Sequence, residues 1–445
     1  MEKVLIANRG EIALRILEAC REEGLKAVAV FSEPEREALH VRLAHEAVCI
    51  GPGPAKKSYL NIAAVLAACE LTGCDALHPG YGFLSENPDL AEICADMGIT
   101  FVGPPAEVLR LCGDKAATRE RVSRAGIPIL PGTGPIEDEA ELRKRAAELG
   151  YPLLLKAVAG GGGRGIRPVN SPEELLPAFR QAQREAKAAT GDPRVYLEAY
   201  VPSPRHVEVQ VLADSHGHIV HWGTRDCTVQ RRHQKVVEEA PAPELSEEMR
   251  RALGEAAIRA AEAVGLVGAG TVEFLVTEDR FYFIEINPRI QVEHPVSEVR
   301  VGRNLVREQL RIAKGEPLGY SQEQIEFWGW AMECRINAED PAHDFFPSTG
   351  RIHIEHLPGG IGVRLDTHIY QGMEVLPYYD SLLAKLITFG EDREEARLRM
   401  YSALKRFRIS GVKTNVELLL EVISHPDFAR VYHATDLLER ILPPK

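Results

Sequence analysis

Through the first hundred residues, short apolar runs alternate with amphipathic segments, which restricts this part of the chain to a parallel sheet with helices on both faces. Residues 4–7 (Val-Leu-Ile-Ala) predict a strand, and residues 11–23 predict a helix with Ile12, Leu14, Ile16 and Leu17 at its apolar positions. Strands at 25–31, 76–78 and 99–102 and a helix at 60–71 continue the pattern. Parallel neighbours need a crossover, which a helix supplies, and strands buried on both faces read as continuous apolar runs.

This unit resembles a Rossmann-type fold, but its first turn, Asn8-Arg9-Gly10-Glu11, lacks the Gly-x-Gly-x-x-Gly of a dinucleotide site. A Pro- and Gly-rich break at 126–134 marks a hinge or boundary, and a smaller α+β unit follows to about residue 201. Residues 205–315 read as strands, a long Ala-rich helix near 249–264 and a hairpin. Beyond 330 come short strands, an Arg-rich helix near 393–407 and a closing helical region. At 445 residues the chain exceeds one ordinary domain. The expectation is a multi-domain α/β and α+β protein with units at 1–114, 115–204, 205–329 and 330–445.

Apolar residues at 45% and charged residues at 27% fit a globular chain rather than a disordered one. No apolar run has the roughly 18 residues a membrane helix needs. The N-terminal apolar stretch is too short for a signal peptide, so residence in the cytoplasm is expected. A net charge of −12 argues against nucleic acid as main partner, while leaving room for a local basic pocket. The eight cysteines contain no Cys-x-x-Cys pair, so free and mostly buried thiols are expected.

Three stretches carry chemistry. In Tyr151-Pro-Leu-Leu-Leu-Lys156-Ala-Val-Ala-Gly160-Gly-Gly-Gly163-Arg164-Gly165 an apolar strand bearing a lysine runs into a glycine loop. Glycine backbone can approach an anion closely, and Lys156 adds charge for phosphate oxygens. A flexible surface loop is the plain alternative, and a lid closing on nucleotide is the functional expectation. Next, Thr271-Val-Glu273-Phe-Leu-Val276 and Phe281-Tyr-Phe-Ile-Glu285-Ile-Asn287 flank a four-residue turn. Glu273 falls opposite or diagonal to Glu285, with Asn287 on the same face as Glu285. Facing carboxylates destabilise an apolar hairpin unless a cation lies between them, and oxygen ligands suit magnesium, with solvated glutamates on an exposed sheet face as the plain alternative. Finally, Arg289, Gln291 and Glu293 share one side if the chain stays extended. A guanidinium fork suits bicarbonate and a neighbouring carboxylate could take its proton, although a structural ion pair fits the residues equally. In Gln230-Arg-Arg-His233-Gln-Lys235, His233 and Lys235 read as part of an anion pocket.

Together these segments resemble the biotin carboxylase family, an ATP-grasp branch, over essentially the whole chain. The resemblance is carried by Ile6-Ala-Asn-Arg-Gly-Glu-Ile12, His78-Pro-Gly-Tyr-Gly-Phe-Leu-Ser-Glu-Asn87, Gly113-Asp-Lys115, the glycine loop, Arg205-His-Val-Glu-Val-Gln210, Arg225-Asp-Cys227, Glu285-Ile-Asn-Pro-Arg-Ile-Gln-Val-Glu-His-Pro295 and Glu333-Cys-Arg-Ile-Asn337. It implies a Rossmann-like N-terminal domain, an ATP-grasp lid region (115–204), an ATP-grasp catalytic region (205–329) and a C-terminal biotin carboxylase domain (330–445). It implies ATP binding by Lys115, Lys156, Gly162, Gly163, Glu198, Ala199, Val201, His206, Gln230, His233, Glu273 and Glu285. Glu273, Glu285 and Asn287 would hold Mg²⁺ or Mn²⁺, with two ions expected. Bicarbonate would bind at Lys235, Arg289, Gln291 and the Val292 backbone, with Glu293 as base and Arg335 supporting the biotin ureido oxygen.

The implied reaction is the first half-reaction of a biotin-dependent carboxylase, ATP-driven carboxylation of biotin through carboxyphosphate. The expected host is acetyl-CoA carboxylase, making malonyl-CoA for fatty acid synthesis. A two-subunit pyruvate or 2-oxo acid carboxylase, or another bicarbonate-activating ATP-grasp ligase, is the alternative. None of the six methionines precedes a lysine, so no Met-Lys-Met biotinylation site is present. Biotin is therefore expected on a separate carrier protein, with carboxyltransferase subunits as further partners and a homodimer as the family's assembly. Cys227 is expected to be structural.

Overall fold

The computed structural model of the chain describes residues 1–136, 138–158, 167–202, 204–232, 234–431 and 435–442. Near the N-terminus, β1 (Lys3–Ile6), β2 (Lys26–Phe31), β3 (Glu46–Cys49), β4 (Ala76–His78) and β5 (Thr100–Phe101) form a parallel sheet in the order β3-β2-β1-β4-β5. Helices Gly10–Glu22 and Ile62–Thr72 lie close to the expected positions. β3 has no counterpart in the sequence reading, because an edge strand with Ala47 and Val48 as its only strongly apolar side chains gives little signal. The order reverses between β1 and β4, where the loops at their carboxyl ends leave a crevice. Asn8 Nδ2 ties those loops together by donating to the carbonyls of Pro79 (2.8 Å) and Tyr81 (2.7 Å).

The smaller unit is an antiparallel sheet of β6 (Leu153–Ala157), β7 (Arg167–Val169) and β8 (Val195–Ala199), ordered β7-β6-β8. Helices Glu139–Leu149 and Pro172–Thr190 flank it, and Leu142, Leu153, Leu155, Phe179 and Leu197 fill its core.

The largest sheet has eight strands. It contains β9 (Arg205–Ala213), β10 (Ile219–Arg231), β11 (Gln234–Ala240), β12 (Gly268–Val276), β13 (Phe281–Asn287) and β14 (Trp330–Asn337), plus strands Val363–Thr367 and Leu382–Gly390. The order is β13-β12-β9-β10-β11-β14, then Leu382–Gly390, then Val363–Thr367. β14 pairs directly with β11, so strands on both sides of residue 330 belong to one sheet. Short strands were expected beyond 330, yet β14 spans 8 residues and Leu382–Gly390 spans 9. Charged side chains break up the apolar pattern there because one face of the strands serves a polar interior. Along β14, Met332, Cys334 and Ile336 pack in a cluster with Met400 and Leu404 of helix Arg393–Arg406, while Glu333 and Arg335 alternate onto the other face. No described helix is long and apolar enough to cross a membrane.

Candidate active site

A bulge sets the geometry of the hairpin. From its turn, Val276 pairs with Phe281, Leu275 with Tyr282 and Phe274 with Phe283, but Glu273 pairs with Glu285. Ile284 is the extra residue, and it switches the parity of the strand. Phe283 therefore joins Phe274 in the apolar core while Glu285, two residues on, stands beside Glu273 on the polar face. Of the two placements the sequence left open, opposite or diagonal, the bulge selects opposite. Asn287 shares that polar face and donates through Nδ2 to Glu273 Oε1 at 3.0 Å.

Lys235, on β11, is the hub of the site. Its ammonium donates to Glu208 Oε2 (2.5 Å), Glu293 Oε1 (2.6 Å) and Glu273 Oε1 (3.1 Å). Burial alone would favour the neutral amine, but these three carboxylates hold Lys235 well above the usual lysine range. Burial likewise opposes the charge on Glu273, which Lys235 and His206 keep well below the usual carboxylate range. His206 Nε2 lies 2.8 Å from Glu273 Oε2, and that carboxylate outweighs burial to raise the histidine.

The stretch 288–293 does not stay extended. It turns after Asn287 so that helix His294–Val301 can begin, with Pro295 in the first turn, where a missing amide is harmless. Arg289, Gln291 and Glu293 therefore take separate directions. Gln291 Nε2 donates to Glu273 Oε1 (3.0 Å), and Glu293 accepts from Lys235 and from Arg335 NH2 (2.8 Å). Burial raises the Glu293 carboxyl, but Lys235, Arg335 and Arg225 reverse this and hold it well below the usual range. The Arg289 fork turns instead to Glu86 (2.5 Å) and to Asn287 Oδ1 (3.3 Å), so that among the described residues it joins the cluster through Asn287. The Val292 carbonyl accepts from Lys385 Nζ at 3.1 Å.

Lys115 Nζ sits 2.9 Å from Glu285. Lys156 and Arg119 both pair with the buried carboxylate of Glu198. Ala199 ends β8, with its amide bonded to the Pro131 carbonyl at 2.8 Å, and Val201 follows two residues later. Gln230 spends its amide on the Cys227 carbonyl (2.7 Å), within the stretch of β10 whose register with β11 is irregular. Gly162 and Gly163, with the rest of the glycine loop at 159–166, and His233 lie outside the described residues.

Sequence reasoning missed several members of the site. Arg225, fully buried on β10, donates to Glu208 (2.6 Å), Gln210 (2.6 Å), Thr271 (3.0 Å), Ser297 (3.1 Å) and Gln291 (3.4 Å). Its fork fixes the carboxylate that in turn holds Lys235. The signal was present: in His206-Val-Glu-Val-Gln210 every second residue is polar, as one polar face of a strand requires. Lys385, also fully buried, pairs with Glu11 at 3.0 Å and ties the N-terminal unit to the site. All eight cysteines are free, six of them buried. Burial, with Glu208 beside it, pushes the Cys227 thiol well above its ordinary range, which leaves it protonated and unsuited to act as a base.

Residues 1–109 match the family model "Biotin carboxylase, N-terminal domain", residues 114–321 match "Carbamoyl-phosphate synthase L chain, ATP binding domain", and residues 333–440 match "Biotin carboxylase C-terminal domain". The biotin carboxylase of Haemophilus influenzae is 55% identical over 426 residues, 95% of each chain. A Campylobacter jejuni biotin carboxylase, crystallised as a β,γ-ATP complex, superposes with a TM-score of 0.96 at 46% identity, covering 99% of this chain and 98% of that one. The biotin carboxylase domain dimer of Hydrogenobacter thermophilus 2-oxoglutarate carboxylase, in complex with MgADP, ADP and bicarbonate, gives 0.95 at 47% identity, covering 100% and 99%. Matched from end to end in sequence and in fold, this chain belongs to the biotin carboxylase family of enzymes.

Proposed function

We propose that the chain uses ATP and bicarbonate to carboxylate a biotin borne by a separate carrier protein, with Lys235, Arg289, Glu293 and Arg335 as the reacting site. The observation that carries this reading is the direct chain Lys235–Glu293–Arg335, which links an anion-binding cation, a base and a guanidinium by contacts of 2.6 and 2.8 Å. The Hydrogenobacter thermophilus relative, crystallised with MgADP and bicarbonate, supports the same substrates here.

Bicarbonate binds to Lys235 and Arg289, with Gln291 and the Val292 backbone beside it. Glu293 is ionised and so free to take the bicarbonate proton. Its two cations weaken it as a base, and bicarbonate that draws the Lys235 charge to itself restores basicity when substrate is in place. A bicarbonate oxygen then bonds to the γ-phosphorus of ATP as the β–γ bridging bond breaks, giving ADP and carboxyphosphate. Lys115 and Lys156 hold the phosphates, since phosphoryl transfer depends on positioning and charge neutralisation. Glu273, Glu285 and the Asn287 oxygen form a hard oxygen set that fits Mg²⁺, and their present cation partners show that this face demands positive charge. When bound, the metal neutralises charge on the triphosphate. Carboxyphosphate breaks its C–O bond to give CO₂ and phosphate, and the phosphate removes the N1′ proton of biotin. Arg335 stabilises the ureido oxygen as charge develops there, and N1′ attacks CO₂.

The test is ADP release from enzyme, MgATP and bicarbonate with and without free biotin. Release that rises with biotin supports the reading, and release indifferent to biotin overturns it. Acetyl-CoA is the proposed final acceptor, served by separate carboxyltransferase subunits, and a homodimer is the proposed assembly. The 2-oxoglutarate carboxylase likeness favours a 2-oxo acid as the second reading. Reconstitution with carrier and each transferase separates them by product, malonyl-CoA against a carboxylated 2-oxo acid.

A further inference from the structure

Beside Arg335 the sheet buries two carboxyl groups that the chemistry above does not use. Glu238 on β11 and Glu333 on β14 are partners in the antiparallel register, so their side chains leave the same face, and both are 0% exposed. Glu238 Oε1 accepts from Arg335 Nε at 2.6 Å. Glu238 Oε2 and both oxygens of Glu333 are buried without a hydrogen-bond partner.

Two facing, fully buried carboxylates cannot both carry charge with three oxygens unsatisfied, because desolvation and mutual repulsion each oppose it. Among the charged groups near Glu333, Lys385 is committed to Glu11 and the Val292 carbonyl, and Arg335 to Glu238 and Glu293. Lys235, which also faces Glu238, serves its own three carboxylates. The helix packed on this face brings His294, bonded to the Gln291 carbonyl (2.7 Å), and Glu298, paired with Arg15 (2.9 Å) and Arg364 (2.8 Å). Arg335 satisfies only Glu238 Oε1, and the other cations in reach among the described residues are engaged elsewhere, so a proton is the remaining way to satisfy the other three oxygens.

We propose that Glu333 is a positioning residue, which retains a proton and donates it in a hydrogen bond to Glu238 Oε2, locking Glu238 Oε1 onto Arg335 and so aiming the guanidinium at the ureido oxygen of biotin. This rests on the role given to Arg335 above. Burial pushes both carboxyls up, Glu333 well above the usual range, in the direction the shared proton requires.

Three variants test it: Glu333→Leu, Glu333→Gln and Arg335→Lys, each read by kcat/KM for biotin, KM for MgATP and melting temperature. Glu333→Leu removes the donor, so kcat/KM for biotin falls about ten-fold, the worth of one hydrogen bond to a charged group, while KM for MgATP holds. Glu333→Gln keeps a donor that cannot ionise. It retains activity at neutral pH, and its alkaline limb moves to higher pH than that of the wild type, whose shared proton leaves as pH rises. A folded Glu333→Leu with wild-type kcat/KM for biotin, or a Glu333→Gln profile whose alkaline limb does not move, overturns the proposal. Should the leucine variant fail to fold, the glutamine profile decides. Arg335→Lys separates the two claims. If it leaves biotin turnover untouched, the Arg335 assignment itself fails. If it impairs turnover while Glu333→Leu does not, only the positioning role falls.

Discussion

The five-stranded parallel sheet and the eight-stranded sheet are both fully buried at their centres, but they bury different things. The first encloses Val4, Leu5, Ile6, Val28 and Val30, side chains whose removal from water is the driving force itself. The second encloses Glu208, Arg225 and Lys385, each 0% exposed, whose removal from water is a cost that their partners must offset. A sheet of the first kind tolerates change in proportion to volume. One of the second kind is sensitive to the loss of any single partner, because the group left behind stays buried and charged. Buried charge of this density supports chemistry on anionic substrates more readily than it supports stability.

The contrast can be broken most sharply at the base. Glu293→Gln keeps the shape of the side chain but removes the proton acceptor, and biotin-dependent ADP release should drop by ~10²–10⁴-fold. Activity close to wild type would mean that this ion cluster is structural, as the N-terminal core is. Next, Arg225→Met fills the same space without charge and takes the donor from Glu208 Oε1, leaving that carboxylate to Lys235. Denaturant unfolding should show a loss of ~3–5 kcal/mol, and a smaller change would place Arg225 outside the network that fixes Lys235. In the apolar sheet, Leu5→Ala should cost ~2–5 kcal/mol by cavity formation, with KM for MgATP unaltered below the melting temperature. A raised KM there would show that the two sheets are mechanically coupled.

The smallest effect concerns pH. His78, at the end of β4, is buried so deeply that its pKa is lowered to about 3, and burial with Arg9 and His40 nearby lowers His368 similarly to about 3. A depressed folded pKa contributes stability that is fully present above the unfolded value near 6.5 and is lost as pH falls. Acid lability should therefore begin below about pH 6.5, each such histidine adding ~1.4 kcal/mol per pH unit to the slope. His78→Gln should flatten that slope in unfolding measured between pH 6.5 and 4.5, and an unchanged slope would assign the lability elsewhere.

The N-terminal sheet was legible almost residue by residue, since continuous apolar runs and amphipathic helices are local patterns. β3 escaped for want of apolar side chains. The polar face of the large sheet was only partly legible. Glu273, Glu285 and Asn287 stood out as polar side chains in apolar strands and Lys235 as part of a basic run, whereas Arg225 and Glu333 entered only as parts of motifs and Glu238 and Lys385 were given no role. Only burial distinguishes the two, and burial depends on what packs above.

By itself the sequence determined the parallel N-terminal sheet, the hairpin and the identity of the charged groups, because these follow from residue types at short spacing, and it carried the family resemblance in motifs spread along the chain. Tertiary structure decided three things that spacing cannot reach. One was the bulge at Ile284 that brings Glu273 opposite Glu285. Another was the turn that sends Arg289 towards Glu86 while Glu293 faces Lys235. The third was the pairing of β11 with β14 that delivers Arg335 to Glu293 from 42 residues away. Each depends on side chains distant in the chain competing for the same space and charge, a balance settled only when all of them are packed together.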